Sequence, residues 1–217
     1  MESLGWITEN GFFIKKLWFT SIIKAQHSET INLDLIKKYH PFLIKLEPLH
    51  EFKSLKFKKD NWPLIPSKTL ILDLSKITLP KDIRYEIRKA KNLEVKESNN
   101  PESFYKMLQE TMKLGHWEIP IKKEVINLWK SFQPNNSIIL QTKHSACLLV
   151  WHENTAHYMY AALTKEGRKI GAAYLTLWEA IKFCQKKKLK YLDLEGIYDE
   201  RYPGSTKNWK GFTAFKI

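Results

Sequence analysis

The alternation of strand and helix patterns predicts an α/β protein, a mixed α+β sheet with a small N-terminal lobe ahead of it. Three observations carry this. Residues 158–195 read as an aromatic-rich strand, a turn, an apolar-striped helix and a second short strand. Residues 137–152 read as two strands joined through Thr142-Lys143-His144 as a hairpin. At 217 residues, with 43% hydrophobic and 27% charged side chains, the chain has the size and composition of a soluble globular protein with a real core.

Residues 1–65 form a reduced N-terminal lobe. Leu17-Trp18-Phe19 and Ser21-Ile22-Ile23 read as strand material, and residues 31–39 as a short helix with Leu33 and Ile36 on its apolar face. Residues 42–46 read as a strand ended by Pro48, and residues 50–60 are basic and loosely patterned. The main domain is expected over residues 66–217. It opens with a strand, 69–74, and a helix, 81–91, preceded by Pro80, which suits a first turn. Arg84, Arg88 and Lys91 recur at spacings of three and four, so they share a face basic enough to bind phosphates. A strand at 93–95 comes next. The helix at 101–114 buries Phe104, Met107, Leu108, Thr111 and Met112, and Gly115 stops it. Another helix covers 122–132, with Val125, Ile126, Leu128 and Trp129 apolar, and Pro134-Asn135-Asn136 turns into the hairpin. Glu153-Asn154-Thr155 turns again into the aromatic strand, 158–163, and Lys165-Glu166-Gly167 leads to the helix at 171–187. The strand at 191–195 runs into a polar loop that starts at Gly196 and holds Pro203 and Gly204. A strand, a helix, a strand and a glycine-bounded loop commonly hold a reactive group over the end of a sheet. Phe215 and Lys216, after Gly211, stand where that group is expected.

The net charge of +13 points to a polyanionic partner: RNA, a nucleotide-linked substrate or an anionic membrane surface. Cys147 and Cys184 lie far apart in apolar segments and read as buried, reduced thiols. No signal peptide is evident and no apolar run approaches a membrane span, and a cytoplasmic protein is expected. The histidines show no metal-ligand spacing, since a turn separates His152 from His157 and no cysteine pattern accompanies them, so no metal is expected.

The order of elements in the main domain is that of the acetyltransferase-like (GNAT) fold, whose mixed sheet splays open to admit an acyl donor. The residues themselves resemble a family. Residues 66–74 (Pro-Ser-Lys-Thr-Leu-Ile-Leu-Asp-Leu), Arg84-Tyr85-Glu86-Ile87-Arg88-Lys89-Ala90, Gly167-Arg168-Lys169, Trp178-Glu179-Ala180-Ile181, Asp193-Leu194-Glu195-Gly196-Ile197 and Gly211-Phe212-Thr213-Ala214-Phe215-Lys216 together are similar to the FemA, FemB and FemX aminoacyltransferases. The resemblance runs from about Pro66 to the last residue. It implies a GNAT-like fold, an aminoacyl-tRNA donor and, as acceptor, an amine on the stem peptide of a peptidoglycan precursor, lipid-linked or UDP-linked. No cofactor is implied beyond the aminoacyl-tRNA co-substrate.

Attack of an amine on an aminoacyl ester passes through a tetrahedral oxyanion, and a fixed cation beside it is worth most where water is excluded. The resemblance gives that charge to Lys216 and has Phe215 shape the pocket for the tRNA acceptor end. Asp193 and Glu195 are expected on opposite sides of their strand, one facing the open end of the sheet to accept a proton from the attacking ammonium. Asp193 matches the family's acidic position. Tyr160 and Tyr174 are candidates for the donor slot, with a structural part in the core as the other reading of each. Arg84, Arg88, Lys91 and Gly196 complete the substrate-binding set.

Two alternatives stay open. Arg168-Lys169-Ile170-Gly171-Ala172-Ala173 fits the R-x-x-G-x-A pattern that cradles a pyrophosphate at a helix N-terminus, which suits an acyl-CoA donor, with Arg168, Lys169 and Gly171 as the phosphate loop. The chain also carries one domain plus a stub where the family has two, and it stops just after Phe215-Lys216 where relatives continue into further strand. An open sheet edge would then invite a homodimer or a partner chain. A basic tRNA- or precursor-binding module without catalysis, in peripheral contact with the inner membrane surface, is the second alternative.

Overall fold

The computed structural model describes residues 2–28, 32–48 and 57–217. The expected segment at 50–60 therefore falls largely outside the described residues, and so does Ile31. The chain divides into two units: Met1–Ser67 with Tyr198–Lys207, and Lys68–Ile197 with Asn208–Ile217. Among the described residues, no helix is long and apolar enough to cross a membrane.

The first unit is a four-stranded sheet in the order β1 (Ile7–Glu9), β2 (Phe12–Lys16), β3 (Ser21–Gln26) and β4 (Pro41–Glu47), with α1 (Leu33–Tyr39) between the last two. Phe12 and Ile14 of β2 and Ile23 and Ala25 of β3 alternate onto one face, where they bury Leu35 of α1. The helix starts at Leu33 because the Asn32 side chain accepts from the backbone N–H of Asp34 and Leu35. It stops at His40, whose φ of 44° is left-handed. The strand expected at Leu17-Trp18-Phe19 is instead the turn joining β2 to β3. Lys16 pairs with Ser21, and the Leu17 N–H donates to the Thr20 carbonyl at 2.8 Å, so chain reversal overrides the strand preference of the aromatic residues.

The second unit is a mixed α/β layer structure, as the sequence predicts. Its elements run β5 (Thr69–Asp73), α2 (Lys81–Lys89), β6 (Lys96–Ser98), α3 (Pro101–Gly115), α4 (Lys122–Ser131), β7 (Ser137–Gln141), β8 (Ser145–His152), β9 (Thr155–Leu163), α5 (Lys165–Lys169), α6 (Ala172–Lys186) and β10 (Tyr191–Gly196). After α7 (Pro203–Thr206), which belongs to the first unit, the chain returns as α8 (Lys210–Lys216). The sheet order is β5-β10-β9-β8-β7-β6, with only β9 and β10 parallel. All of β8 except its last residue is buried, because both faces of the sheet are covered. Cys147, Leu149 and Trp151 pack with Ala180, Ile181 and Cys184 of α6, and Ala146 and Leu148 pack with Phe104 and Leu108 of α3 and Val125 of α4. Both cysteines are free and buried, and burial pushes the Cys184 thiol up to about 12.

Several boundaries move, each for a local reason. The strand expected at 93–95 lies at Lys96–Ser98, where it pairs with β7. Gly115 is the last helical residue of α3, and His116, at φ 53°, is the cap. The turn at Lys165-Glu166-Gly167 is one turn of helix, because the Thr164 hydroxyl accepts from the Gly167 N–H. Helix α2 ends at Lys89, two residues before Lys91. The glycine-bounded loop expected to carry Phe215 and Lys216 is the helix α8.

Candidate active site

The site is built where the two parallel strands separate. Asp193 of β10 pairs directly with His157 of β9, the last pair in their register, although the strands run on to Gly196 and Leu163. Beyond this pair β10 shifts register against β5, and β9 shifts against β8 between Tyr158 and Tyr160. Bulges of this kind bend strands apart and re-aim side chains. Glu195, inside the shift, has a φ of 62°.

The opposed placement expected for Asp193 and Glu195 is overturned. Residues two apart on a strand share a face, and here both carboxylates reach the His157 ring. Side-chain ligand atoms of His157, Asp193 and Glu195 all lie within 4.8 Å of one another. His157 Nδ1 donates to Glu195 Oε1 at 2.9 Å, and the Glu195 N–H donates to Asp193 Oδ1 at 2.7 Å. The hydrogen bond to Glu195 raises the His157 pKa against the effect of burial. Burial first, then the Glu195 charge, raises that of Asp193. Two carboxylates and an imidazole at this spacing are a proton-handling set, and the same three atoms are a ligand set for a divalent cation.

Lys216 enters from α8. On that helix Phe212, Phe215 and Lys216 stand at spacings of three and four, hence on one side. Phe212 meets the Trp117 ring edge-on at 5.7 Å, and Phe215 lies on Tyr174 of α6 with centroids 4.8 Å apart. These two contacts fix the helix, and Lys216 Nζ then donates to the Gly196 carbonyl at 2.8 Å and sits 4.8 Å above the Phe212 ring. The ammonium is half-buried. Burial pulls its pKa down to about 8, while the charges of Glu195 and Asp193 pull the other way. Gly211 does not serve this arrangement through its lack of a side chain, since a Cβ there would meet nothing within 4 Å.

Tyr160, where pairing with β8 resumes after the bulge, lines a pocket of about 350 Å³ with Met112, Ile119, Pro120 and Glu124. Burial, then the charges of Glu124 and Glu195, raises its pKa, which ties this pocket electrostatically to the acidic pair. Arg84 and Arg88 line a different groove, of about 470 Å³, with Lys81, Ile87 and Trp178. Lys91 is not part of it, being past the end of α2. Arg168 and Lys169 are exposed at the end of α5. Gly171 caps α6 at φ 70°, and a Cβ there would come within 2.5 Å of the Glu86 carbonyl oxygen and 3.0 Å of its carboxylate. The amide end of α6 is thus already faced by an acidic residue.

Residues 123–216, which hold Lys216, His157 and both carboxylates, match the sequence model of the FemAB family. Over that stretch, which is under half of the chain, the sequence is similar to the FemAB family. Among solved structures, FemX superposes with a TM-score of 0.73 at 13% identity, over 99% of this chain and 85% of that one. A conserved protein of unknown function from Bacteroides thetaiotaomicron gives a TM-score of 0.56 at 11% identity, over 94% of this chain and 81% of that one. L-PGS from Bacillus licheniformis gives 0.50 at 10%, over 86% and 67%. At these identities the likeness is one of fold. No curated protein matches the chain in sequence.

His157 is the member of this FemAB-like site that sequence reasoning missed. It lies 36 positions before Asp193, and only the parallel pairing of β9 with β10 brings the two together. The signal present in sequence was its place on an aromatic strand leading into a helix and a second strand, a unit that returns the chain parallel to itself.

Proposed function

We propose that this FemAB-like chain is a cytoplasmic aminoacyltransferase that moves an amino acid from aminoacyl-tRNA to an amine on the stem peptide of a peptidoglycan precursor. The observation that carries the reading is the Lys216 ammonium, half-buried and hydrogen-bonded to Gly196 at the point where β9 and β10 part. A cation fixed there, in a site partly shielded from water, stabilises the oxyanion formed when the amine attacks the ester carbonyl. Asp193, its affinity for protons raised by burial, takes the proton from the attacking nitrogen. The carbon–oxygen bond to the tRNA ribose then breaks, the carbonyl re-forms as an amide, and the ribose oxygen leaves as a hydroxyl after taking up a proton. Phe215, held on Tyr174, forms an aromatic wall beside the reacting ester, and Tyr160 borders the pocket for the aminoacyl group. The groove with Arg84 and Arg88 offers cations to tRNA phosphates. An acyl-CoA donor is disfavoured, because a pyrophosphate at the α6 N-terminus would face the Glu86 carboxylate.

The test is a transfer assay with mixed charged tRNAs and purified muropeptide precursors, comparing the wild-type chain with Lys216→Met. The variant should lose about a hundredfold or more in kcat while its melting temperature holds. Full activity in the variant removes Lys216 from the mechanism. Retained tRNA binding with no transfer by either chain would favour a binding module.

A further inference from the structure

The sheet of the first unit ends in a turn unsuited to water. Trp18 is 95% exposed and Phe19 is 94% exposed, with ring centroids 6.4 Å apart and edge-on, so neither ring contributes to the core. The start of β4 is held beside this turn, because Thr20 Oγ1 donates to the His40 carbonyl at 2.7 Å and Ser21 Oγ to the Tyr39 carbonyl at 2.8 Å. There the β3–β4 register shifts, Ser21 facing Pro41 and Ile22 facing Leu43, which leaves Phe42 unpaired and 65% exposed. Leu17 and Leu43 are also exposed. Five large apolar side chains thus gather at one end of one sheet, which is a patch and not a scatter.

Basic residues flank the patch. Lys15 and Lys16 lead into the turn, and Lys37 and Lys38 occupy the last turn of α1 just before His40. Among the described residues, Lys38 is paired with the Glu9 carboxylate and Lys15 Nζ donates to the Leu4 carbonyl at 2.6 Å, while Lys16 and Lys37 are exposed. The stretch from Phe12 to Ser28 holds no acidic residue.

We propose that this end of the first unit is an interfacial membrane anchor: Trp18 and Phe19 insert at the headgroup level of an anionic lipid bilayer, and the lysines lie on the lipid phosphates. The occupant follows from two demands made together. The aromatic rings protrude on a hairpin tip and need an apolar medium, while the stems beside them need negative charge. Tryptophan is enriched at membrane–water interfaces because its ring is amphipathic, and basic residues next to it add attraction to anionic lipid. A bilayer surface meets both demands without a matching pocket. The net charge of +13 works in the same direction over a longer range. This inference stands apart from the transferase reading, since it uses no residue of the Lys216 site.

The test is co-sedimentation of the full chain with phosphatidylcholine vesicles and with vesicles containing phosphatidylglycerol, at low and high salt. The wild-type chain should partition onto the anionic vesicles and less so as salt rises. The Trp18→Ser/Phe19→Ser double variant should lose about tenfold or more in partition coefficient. Both side chains are solvent-exposed, so an unchanged circular dichroism spectrum will establish that the variant is folded. The Lys16→Gln/Lys37→Gln variant should lose much of the salt-sensitive part. The proposal is overturned if wild type and double variant partition alike, or if neither binds anionic vesicles. It is also overturned if light scattering shows a wild-type dimer that the double variant dissociates, which would make the tip a protein interface. Transfer to a soluble precursor should be the same in wild type and double variant, so the outcome is distinguishable from failure of the transferase reading.

Discussion

Lys216 is a cation below its pKa of about 8 and a neutral amine above it. If its charge stabilises the oxyanion, kcat/KM has a limb that falls as pH rises through about 8. Lys216→Arg keeps a charge that does not titrate in this range, so its profile should lack that limb even if its maximum is lower. A wild-type profile that instead climbs through this region and stays high would assign the neutral amine a role as base. The stability effect has the opposite sign. The folded-state pKa lies below the unfolded value near 10.5, so the unfolded chain binds more protons between them, and Lys216 favours the fold increasingly as pH rises across that window. At this scale the grouping of residues is what the sequence hides. Lys216 bonds Gly196 just past Asp193, but the pairing of both carboxylates with His157 depends on a parallel register and a local bulge. Neither is written in the spacing of residues along one segment.

Elements with a marked run or period of apolar residues are legible. Helices α3 and α6 and strands β7 and β8 lie within one or two residues of where the pattern places them. Strands β1 and β2 are not among the elements read from the sequence, although Asn10-Gly11 is a strong hairpin signal. Both residues have positive φ, 50° and 79°, between the paired Glu9 and Phe12. Helix α8 was read as a loop, because glycine near its start masked an i, i+3, i+4 aromatic face that only Trp117 and Tyr174 reveal. Gly171 was read as a phosphate-loop residue, whereas its environment is close packing of α6 on α2. Gly171→Ala combines a left-handed backbone with a contact of 2.5 Å to the Glu86 carbonyl. The variant should lose about 2 kcal/mol or more of stability, read as a lower urea midpoint at unchanged slope. A change below about 0.5 kcal/mol would mean that α6 shifts freely on α2.

Taken over the whole molecule, the excess of positive charge was the plainest feature of the sequence, and the structure distributes it between distinct places. Arg84 and Arg88 line one groove in the second unit, and Lys15, Lys16 and Lys37 flank the apolar tip of the first. Filter binding should show tRNA held with a steep salt dependence and coenzyme A held weakly or not at all. Replacing Arg84 and Arg88 by alanine should flatten the slope of log Kd against log salt by about one per residue. Coenzyme A bound more tightly than tRNA would restore the acyl-CoA reading. The two units, as far as they are described, have separate cores, so loss of activity in a variant needs a gauge of which has opened. Cys147 and Cys184 supply one. Both sulfurs are sealed between the large sheet and α6, in the thiol rather than thiolate form, so an alkylating reagent meets neither until that layer comes apart. Mass added per molecule over time becomes a clock for the opening of the second unit alone, with no background from the rest of the chain.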